Sequence, residues 1–245
     1  MTGVTLLPVE GVPEVRPGED LAACLAQGLE LRDGDVVIVA QKVVSKAEGR
    51  LRRLSEVSPS ARAQEVAKRV DGDPRMIQVV LDESVRVVRD ERVLIVETRH
   101  GFVCANAGVD HSNVDGDEDV VSLLPEDSDA SAATLRDRLR ELTGRELAVI
   151  VADTFGRPWR AGIVNVALGV AGLAPLVDHR GHPDDQGRIM NATVIAVADE
   201  LASAAELVMG KTRRVPAAIV RGYTPEGAPG TGRDLIRPPE QDLFR

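Results

Sequence analysis

The chain has almost nothing aromatic with which to fill a core: three Phe, one Tyr and one Trp in 245 residues, 2% in all. A core of ordinary packing density must then be built from Val, Leu, Ile and Ala, which together supply most of the 43% hydrophobic content. Those residues come in short runs bounded by turn formers, the pattern of buried strands and of helices with one apolar face. No run reaches the roughly 18 apolar residues that a membrane-spanning helix requires. At this length the chain can bury one large domain or two small ones.

Val4 to Pro8 reads as a first strand. Asp20 caps a helix to about Leu29, and Asp33-Gly34-Asp35 turns into Val36 to Val44, read as one buried strand. Ser58-Pro59 reads as an N-cap followed by proline at the first helical position, and Asp73-Pro74 repeats the device. Val85 to Val88, Val93 to Thr98 and Phe102 to Ala105 read as hairpin-connected strands, and Asp115 to Asp129 as an acidic loop. Leu135, Leu139 and Leu142 share a helical face that Gly144 ends. Leu147 to Ala152 is a further buried strand, Gly156 to Gly187 a stretch of small residues, Thr193 to Met209 an alanine-rich helix and Pro216 to Val220 the last strand. Strands and helices mix without strict alternation. The expected class is α/β of the α+β type, with mixed, largely antiparallel sheets and flanking helices. Residues 1–222 form the expected domain, and 223–245, rich in Gly, Pro and charge, a tail or linker.

Composition excludes several functions. A net charge of -9 opposes a duplex-binding face, and the shortage of aromatics removes the stacking platforms that single strands need. Met1-Thr2-Gly3-Val4 does not begin a signal peptide, so the expected location is the cytoplasm, with neither nucleic acid nor membrane as a partner. Cys24 and Cys104 are too few and too far apart for a disulfide framework and read as small hydrophobes. Gly210-Lys211-Thr212 resembles the end of a P-loop, but Ala205 stands where the first glycine belongs and the segment follows a helix. Asp115, Asp117, Asp119 and Glu126 have EF-hand spacing with Val120 at the glycine position, and read as a solvated loop. His100, His111, His179 and His182 have no metalloprotease spacing.

Three segments are unusual for purely structural sequence. Val43 to Arg50 ends an apolar run in polar residues, and Lys42, Lys46 and Arg50 can supply positive charge to a polyphosphate; the alternative is a polar turn. Ala105 to Val114 carries Asp110, a hard oxygen donor for magnesium or manganese, and Asn113, able to read a base, ribose or phosphate; the alternative is an Asx-type turn. Val149 to Arg160 ends an apolar strand in Asp153-Thr154, suited to hold a metal, then Arg157 and Arg160, suited to charge developing on phosphoryl or carboxylate oxygens; the alternative is an acidic N-cap with surface arginines. Together they suit metal-dependent nucleotide chemistry.

At these residues the chain resembles the coenzyme F420-0:L-glutamate ligases, the gamma-glutamyl ligases of the deazaflavin cofactor pathway. The matching blocks are Leu7 to Gly11, Val44 to Arg50, Asn106 to Val114, Asp153 to Arg160 and Val197 to Glu200, in order along nearly the whole chain. Asp234 to Arg245 is similar to the joint that precedes a flavin domain in two-domain members. The resemblance implies that GTP phosphorylates the terminal carboxylate of the deazaflavin precursor, and that the amine of L-glutamate displaces the phosphate to leave an amide, with further gamma-linked additions in some members. By the same resemblance Asp110 and Asp153 hold a first metal and Thr154 a second, as Mg2+ or Mn2+, with K+ as a further candidate ion. Asn113 contacts GTP, and Val12, Pro13, Glu14, Val15, Gln41, Lys42, Lys46, Met209, Gly210 and Lys211 line the nucleotide site. Arg157 and Arg160 are the candidates for stabilising the acyl phosphate. In some members an acidic residue follows the last long helix and helps hold the second metal, and here that position is Lys211. The family forms intertwined homodimers, which is the expectation for this chain. Two other readings stay open: a different metal-dependent phosphoryl-transfer enzyme on the same scaffold, and a domain that serves only to dimerise or to present a fused flavin domain.

Overall fold

The computed structural model describes residues 3–27, 30–110 and 117–242. In chain order the elements are β1 (Thr5–Pro8), α1 (Leu21–Ala26), β2 (Val36–Ala40), α2 (Gln41–Ala47), β3 (Leu51–Arg53), α3 (Ala61–Val70), α4 (Pro74–Asp82), β4 (Ser84–Glu91), β5 (Val93–Thr98), β6 (Val103–Ala105), β7 (Val120–Ser122), α5 (Ser128–Thr143), β8 (Ala148–Arg157), β9 (Arg160–Ala171), β10 (Val177–Asp178), β11 (Val194–Ile195), α6 (Val197–Met209) and β12 (Ala217–Arg221). The class is α/β, with mixed, mainly antiparallel sheets flanked by helices.

The main sheet runs β1-β12-β2-β8-β9. Its single parallel pair is β2 with β8, in register from Val36 opposite Ala148 to Ala40 opposite Ala152. The other pairs are antiparallel. Alternate residues face opposite ways along a strand. Val37, Val39, Val149 and Val151 accordingly pack with Leu25 of α1 and Leu135 and Leu139 of α5. Val36, Ile38, Ile150 and Ala152 pack on the other face with Ala198, Leu201, Ala202 and Ala205 of α6. The small residues of α6 let the helix lie close to the sheet, which is how a core poor in aromatics closes. Gly169 of β9 takes a similar role against α5: a methyl group there would sit 1.9 Å from the Ser128 carbonyl oxygen.

A third core lies under the antiparallel sheet β4-β5-β6, where Leu94 and Val96 pack against Val66 of α3 and Ile77 and Val80 of α4. Among the described residues no helix is long and apolar enough to cross a membrane. Both cysteines are free thiols; burial raises each, and Cys104 is pushed up to about 12.

The structure corrects several expectations. Val36 to Val44 is a strand only to Ala40, and Gln41 begins α2. An apolar run of that length satisfies either period, and the polar residues that follow belong to the helix. Ser60, not Ser58, caps α3, its hydroxyl accepting from Ala63 N at 3.2 Å. The acidic stretch 115–129 contains β7 and the start of α5. Leu142 is exposed, off the face that Leu135 and Leu139 bury. The stretch after Gly156 forms the longest strand, β9, and β8 continues through Asp153 to Arg157. The helix expected from Thr193 begins at Val197. Within the stretch expected as a tail, Gly232 N donates to Asp129 Oδ1 at 2.6 Å and Ile236 covers Gly101.

Candidate functional site

Parallel strands end side by side, so whatever follows β2 and whatever ends β8 must meet at one edge of the sheet. Ala40 pairs with Ala152 there, Lys42 follows in the first turn of α2, and Asp153 is the next residue of β8. Such an edge is where α/β sheets place ligands. An irregularity in the β8–β9 pairing falls at the same point: Val151 faces Gly169 but Ala152 faces Ala167, leaving Leu168 as an extra residue. A bulge of this kind re-aims the residues beside it.

Asp110 arrives from the other core. Asn106, Ala107 and Gly108 all have positive φ, at 52°, 54° and 70°. At Gly108 a side chain would also meet Leu124 at 2.6 Å, so only glycine fits. This left-handed run turns the chain off β6 and seats Val109 in the core. Two backbone hydrogen bonds with Ser122 (3.2 and 2.9 Å) and a third from the Ser122 hydroxyl (2.9 Å) then pin Asp110. Its carboxylate accepts from Lys42 Nζ at 2.7 Å. Two non-glycine residues held at positive φ are backbone strain of the sort that persists where the surroundings over-determine a useful conformation.

Asp153 is half-buried, and its carboxyl is held above the ordinary carboxylate range. Dehydration is the main cause. A hydrogen bond from the Thr154 amide and the positive charges of Lys211 and Lys42 oppose it, and the negative charge of Asp110 adds to it. Two carboxylates from distant parts of the chain therefore lie close enough for one to raise the other, with two ammonium groups among them. Cys104 lies beneath, its thiol raised in part by Asp153.

Thr154 points to the opposite face, toward α6. Its hydroxyl donates to Asn165 Oδ1 at 2.8 Å, and Asn165 Nδ2 donates to Glu206 Oε2 at 3.1 Å. Lys211 Nζ donates to Thr154 Oγ1. The donors Asp110, Asp153 and Thr154 are all oxygen, the set that a hard divalent cation takes. Among the described residues no group of three or more His, Cys, Asp or Glu side chains could hold a metal by itself. Magnesium is ordinarily bound by one or two carboxylates with phosphate oxygens completing its shell, and the residues present fit that mode.

The other residues singled out in the sequence fall in distinct places. Lys46 is buried and pairs with Glu14, whose other oxygen is 3.8 Å from Arg214. The segment Val12 to Val15 thus sits over the end of α2, with Val15 and Val12 packed into the core and Pro13 and Glu14 exposed. The Gln41 side chain is buried, donating to Ser45 Oγ (3.1 Å) and the Leu123 carbonyl (3.2 Å), so it braces α2 and does not face the carboxylates. Met209, the last residue of α6, is buried against the main sheet, and Gly210 ends that helix at φ 63°. Arg50, just past α2, reaches Glu83 at the end of α4 at 2.9 Å and the Leu124 carbonyl at 2.9 Å. Arg157 and Arg160 face each other at the tip of the β8–β9 hairpin, where Arg157 donates to the Ala161 carbonyl at 2.6 Å. Four residues of extended strand separate Arg157 from Asp153, roughly 13 Å along the backbone of β8. Asn113 and His111 lie outside the described residues.

Sequence reading missed Asn165 and Glu206. The signal was a lone polar residue in the otherwise apolar alternation Val164-Asn165-Val166, and it was hidden because the segment's glycines made it read as loop.

The profile of a family described as F420-0:Gamma-glutamyl ligase matches residues 11–222. The coenzyme F420:L-glutamate ligase of Methanothermobacter thermautotrophicus is 48% identical, over 99% of each chain. That of Methanopyrus kandleri is 48% identical over the full length of both. That of Archaeoglobus fulgidus is 43% identical, over 99% of this chain and 96% of the relative.

Proposed function

The chain belongs to the F420-0:gamma-glutamyl ligase family, and from that premise we propose that it joins L-glutamate to the deazaflavin coenzyme F420-0 at the expense of GTP. A carboxylate is a poor electrophile, so an amide cannot form until its oxygen becomes a leaving group. Transfer of the γ-phosphoryl group from GTP to the terminal carboxylate of F420-0 releases GDP and provides that leaving group. The glutamate amine then bonds to the carbonyl carbon, the C–O bond to phosphate breaks, and the amine gives up a proton to solvent.

The observation that carries this reading is the meeting of Asp110, Asp153, Lys42 and Lys211 at the paired ends of β2 and β8. Asp110 and Asp153 would hold a magnesium or manganese ion, which would neutralise phosphate oxygens and fix the triphosphate. Lys42 and Lys211 add positive charge on either side of the carboxylates, where partial dehydration strengthens it. The Val12 to Val15 segment, Lys46 and the described end of the Asp110 loop border the same edge and form the nucleotide side of the site.

We further propose a homodimer. The β8–β9 hairpin ends in Trp159, 79% exposed, and Ile163, 60% exposed. Large apolar side chains clustered at one tip mark a contact surface, and a second copy is the occupant that the family resemblance supplies.

Incubating the protein with GTP, Mg2+, L-glutamate and F420-0, and following product mass, tests the activity. The expected result is a product heavier by one glutamyl residue together with stoichiometric GDP and phosphate. GTP hydrolysis without glutamyl addition would show instead another phosphoryl-transfer enzyme on this scaffold.

A further inference from the structure

Thr154 and its neighbours fix which atoms are donors and which acceptors. The Glu206 carboxylate can only accept, so the Asn165 amide must turn its nitrogen toward Glu206, at 3.1 Å, and its oxygen toward Thr154, at 2.8 Å. The Asn165 oxygen in turn needs a proton, and Thr154 has one to give. Asn165 is only 4% exposed, so water does not readily relax this order, and turning the amide over would set its oxygen against the Glu206 carboxylate. With its proton committed, Thr154 Oγ1 shows only lone pairs to its remaining neighbour. It is an atom prepared for a cation, and the cation in place is the ammonium of Lys211. The same ammonium comes first among the positive charges that act on Asp153, ahead of Lys42.

We propose that Lys211 is a resident cation of this site, that its ammonium takes at Thr154 the place a second divalent ion would occupy, and that each chain therefore binds GTP with a single divalent ion. Asn165 and Glu206 are positioning residues: they touch no reacting atom and hold the Thr154 hydroxyl in its accepting orientation. The inference rests on the reading of Asp110 and Asp153 as the divalent site for a triphosphate. It adds that the phosphate-side charge is supplied partly by a side chain that cannot dissociate, so occupancy of the site depends on the first power of the divalent ion concentration.

The test counts Mn2+ by electron paramagnetic resonance on the full chain, with one equivalent of the β,γ-imido analogue of GTP. We expect one bound Mn2+ per chain in the wild type and two in Lys211→Glu, where an acidic side chain replaces the ammonium. Circular dichroism establishes that the variant is folded; should it not fold, the wild-type count decides alone. Two ions in the wild type, or a single ion in a folded Lys211→Glu, overturns the proposal. Neither ion nor analogue bound removes the ligase reading itself, and this inference with it.

Discussion

Asp153→Asn and Asp199→Asn are the same chemical change, and the two sites separate what a half-buried carboxylate does for function from what it does to stability. At Asp153 the charge is needed, because a neutral amide neither grips a divalent ion nor balances Lys42 and Lys211. Turnover in Asp153→Asn should fall by about 100-fold or more, measured as glutamyl product by mass, with an unchanged circular dichroism spectrum. At Asp199 the charge is a burden. Burial raises its carboxyl above the ordinary value, and the hydrogen bond from the Ala167 amide, at 2.8 Å, only partly opposes this. A raised carboxyl contributes stability that is fully present below its unfolded value and is lost as pH rises through the folded one. The uncharged amide in Asp199→Asn keeps an oxygen to accept the Ala167 bond and carries no dehydrated charge. This variant should therefore melt above the wild type at pH 7.5, by roughly 2–4 °C for each kcal/mol relieved, and the gap should close as pH falls below the ordinary carboxylate range. A gap that persists at low pH would show that the charge is not its cause. Asp110 and Asp153 stood out as candidates in the sequence because a carboxylate beside an apolar run breaks the pattern of its surroundings. Asn165 and Glu206 did not, because their importance lies in a proton order that spans β8, β9 and α6.

At the scale of elements, α2 controls the site although it is short and no side chain caps its N-terminus. Gln41 replaces the missing cap as an anchor, tying the helix to the Leu123 carbonyl next to the β7 residue that pins Asp110. Gln41→Ala leaves a buried carbonyl without a donor and should lower unfolding free energy by about 1–3 kcal/mol, read by urea titration. Because Lys42 rides on the same turn, KM for GTP should rise while kcat changes less. An unchanged KM would separate the anchor from the site. The strand-to-helix change at Ala40 could not be read from the sequence, since Val36 to Val44 is apolar enough for either period and only the β12 and β8 partners decide where pairing stops. The β9 strand was missed for the opposite reason. Its glycines look like loop formers, but Gly169 is there because the Ser128 carbonyl leaves no room for a side chain. The caps at Asp73 and Gly144 were legible because a local hydrogen bond or a left-handed residue determines them without tertiary help.

At the scale of the whole molecule, exposed apolar side chains point to a second copy of this chain. Its longest hairpin carries Arg157 and Arg160 away from the carboxylates and presents Trp159 and Ile163 to solvent. A second copy would bury this exposed tip, and one Trp removes on the order of 150–250 Å² from water. If the tip is the dimer contact, two charges placed there should separate the copies without disturbing the sheet, since β8 and β9 stay paired from Val149 to Phe155 by their own ladder. The double variant Trp159→Asp, Ile163→Asp should elute as a single folded chain of 26.2 kDa in light scattering, against twice that mass for the wild type. Its melting should become independent of protein concentration, because dissociation no longer precedes unfolding. A variant that keeps the doubled mass would place the contact elsewhere, and the exposed outer face of β4-β5-β6, with Val93 and Val103, would be the next surface to charge.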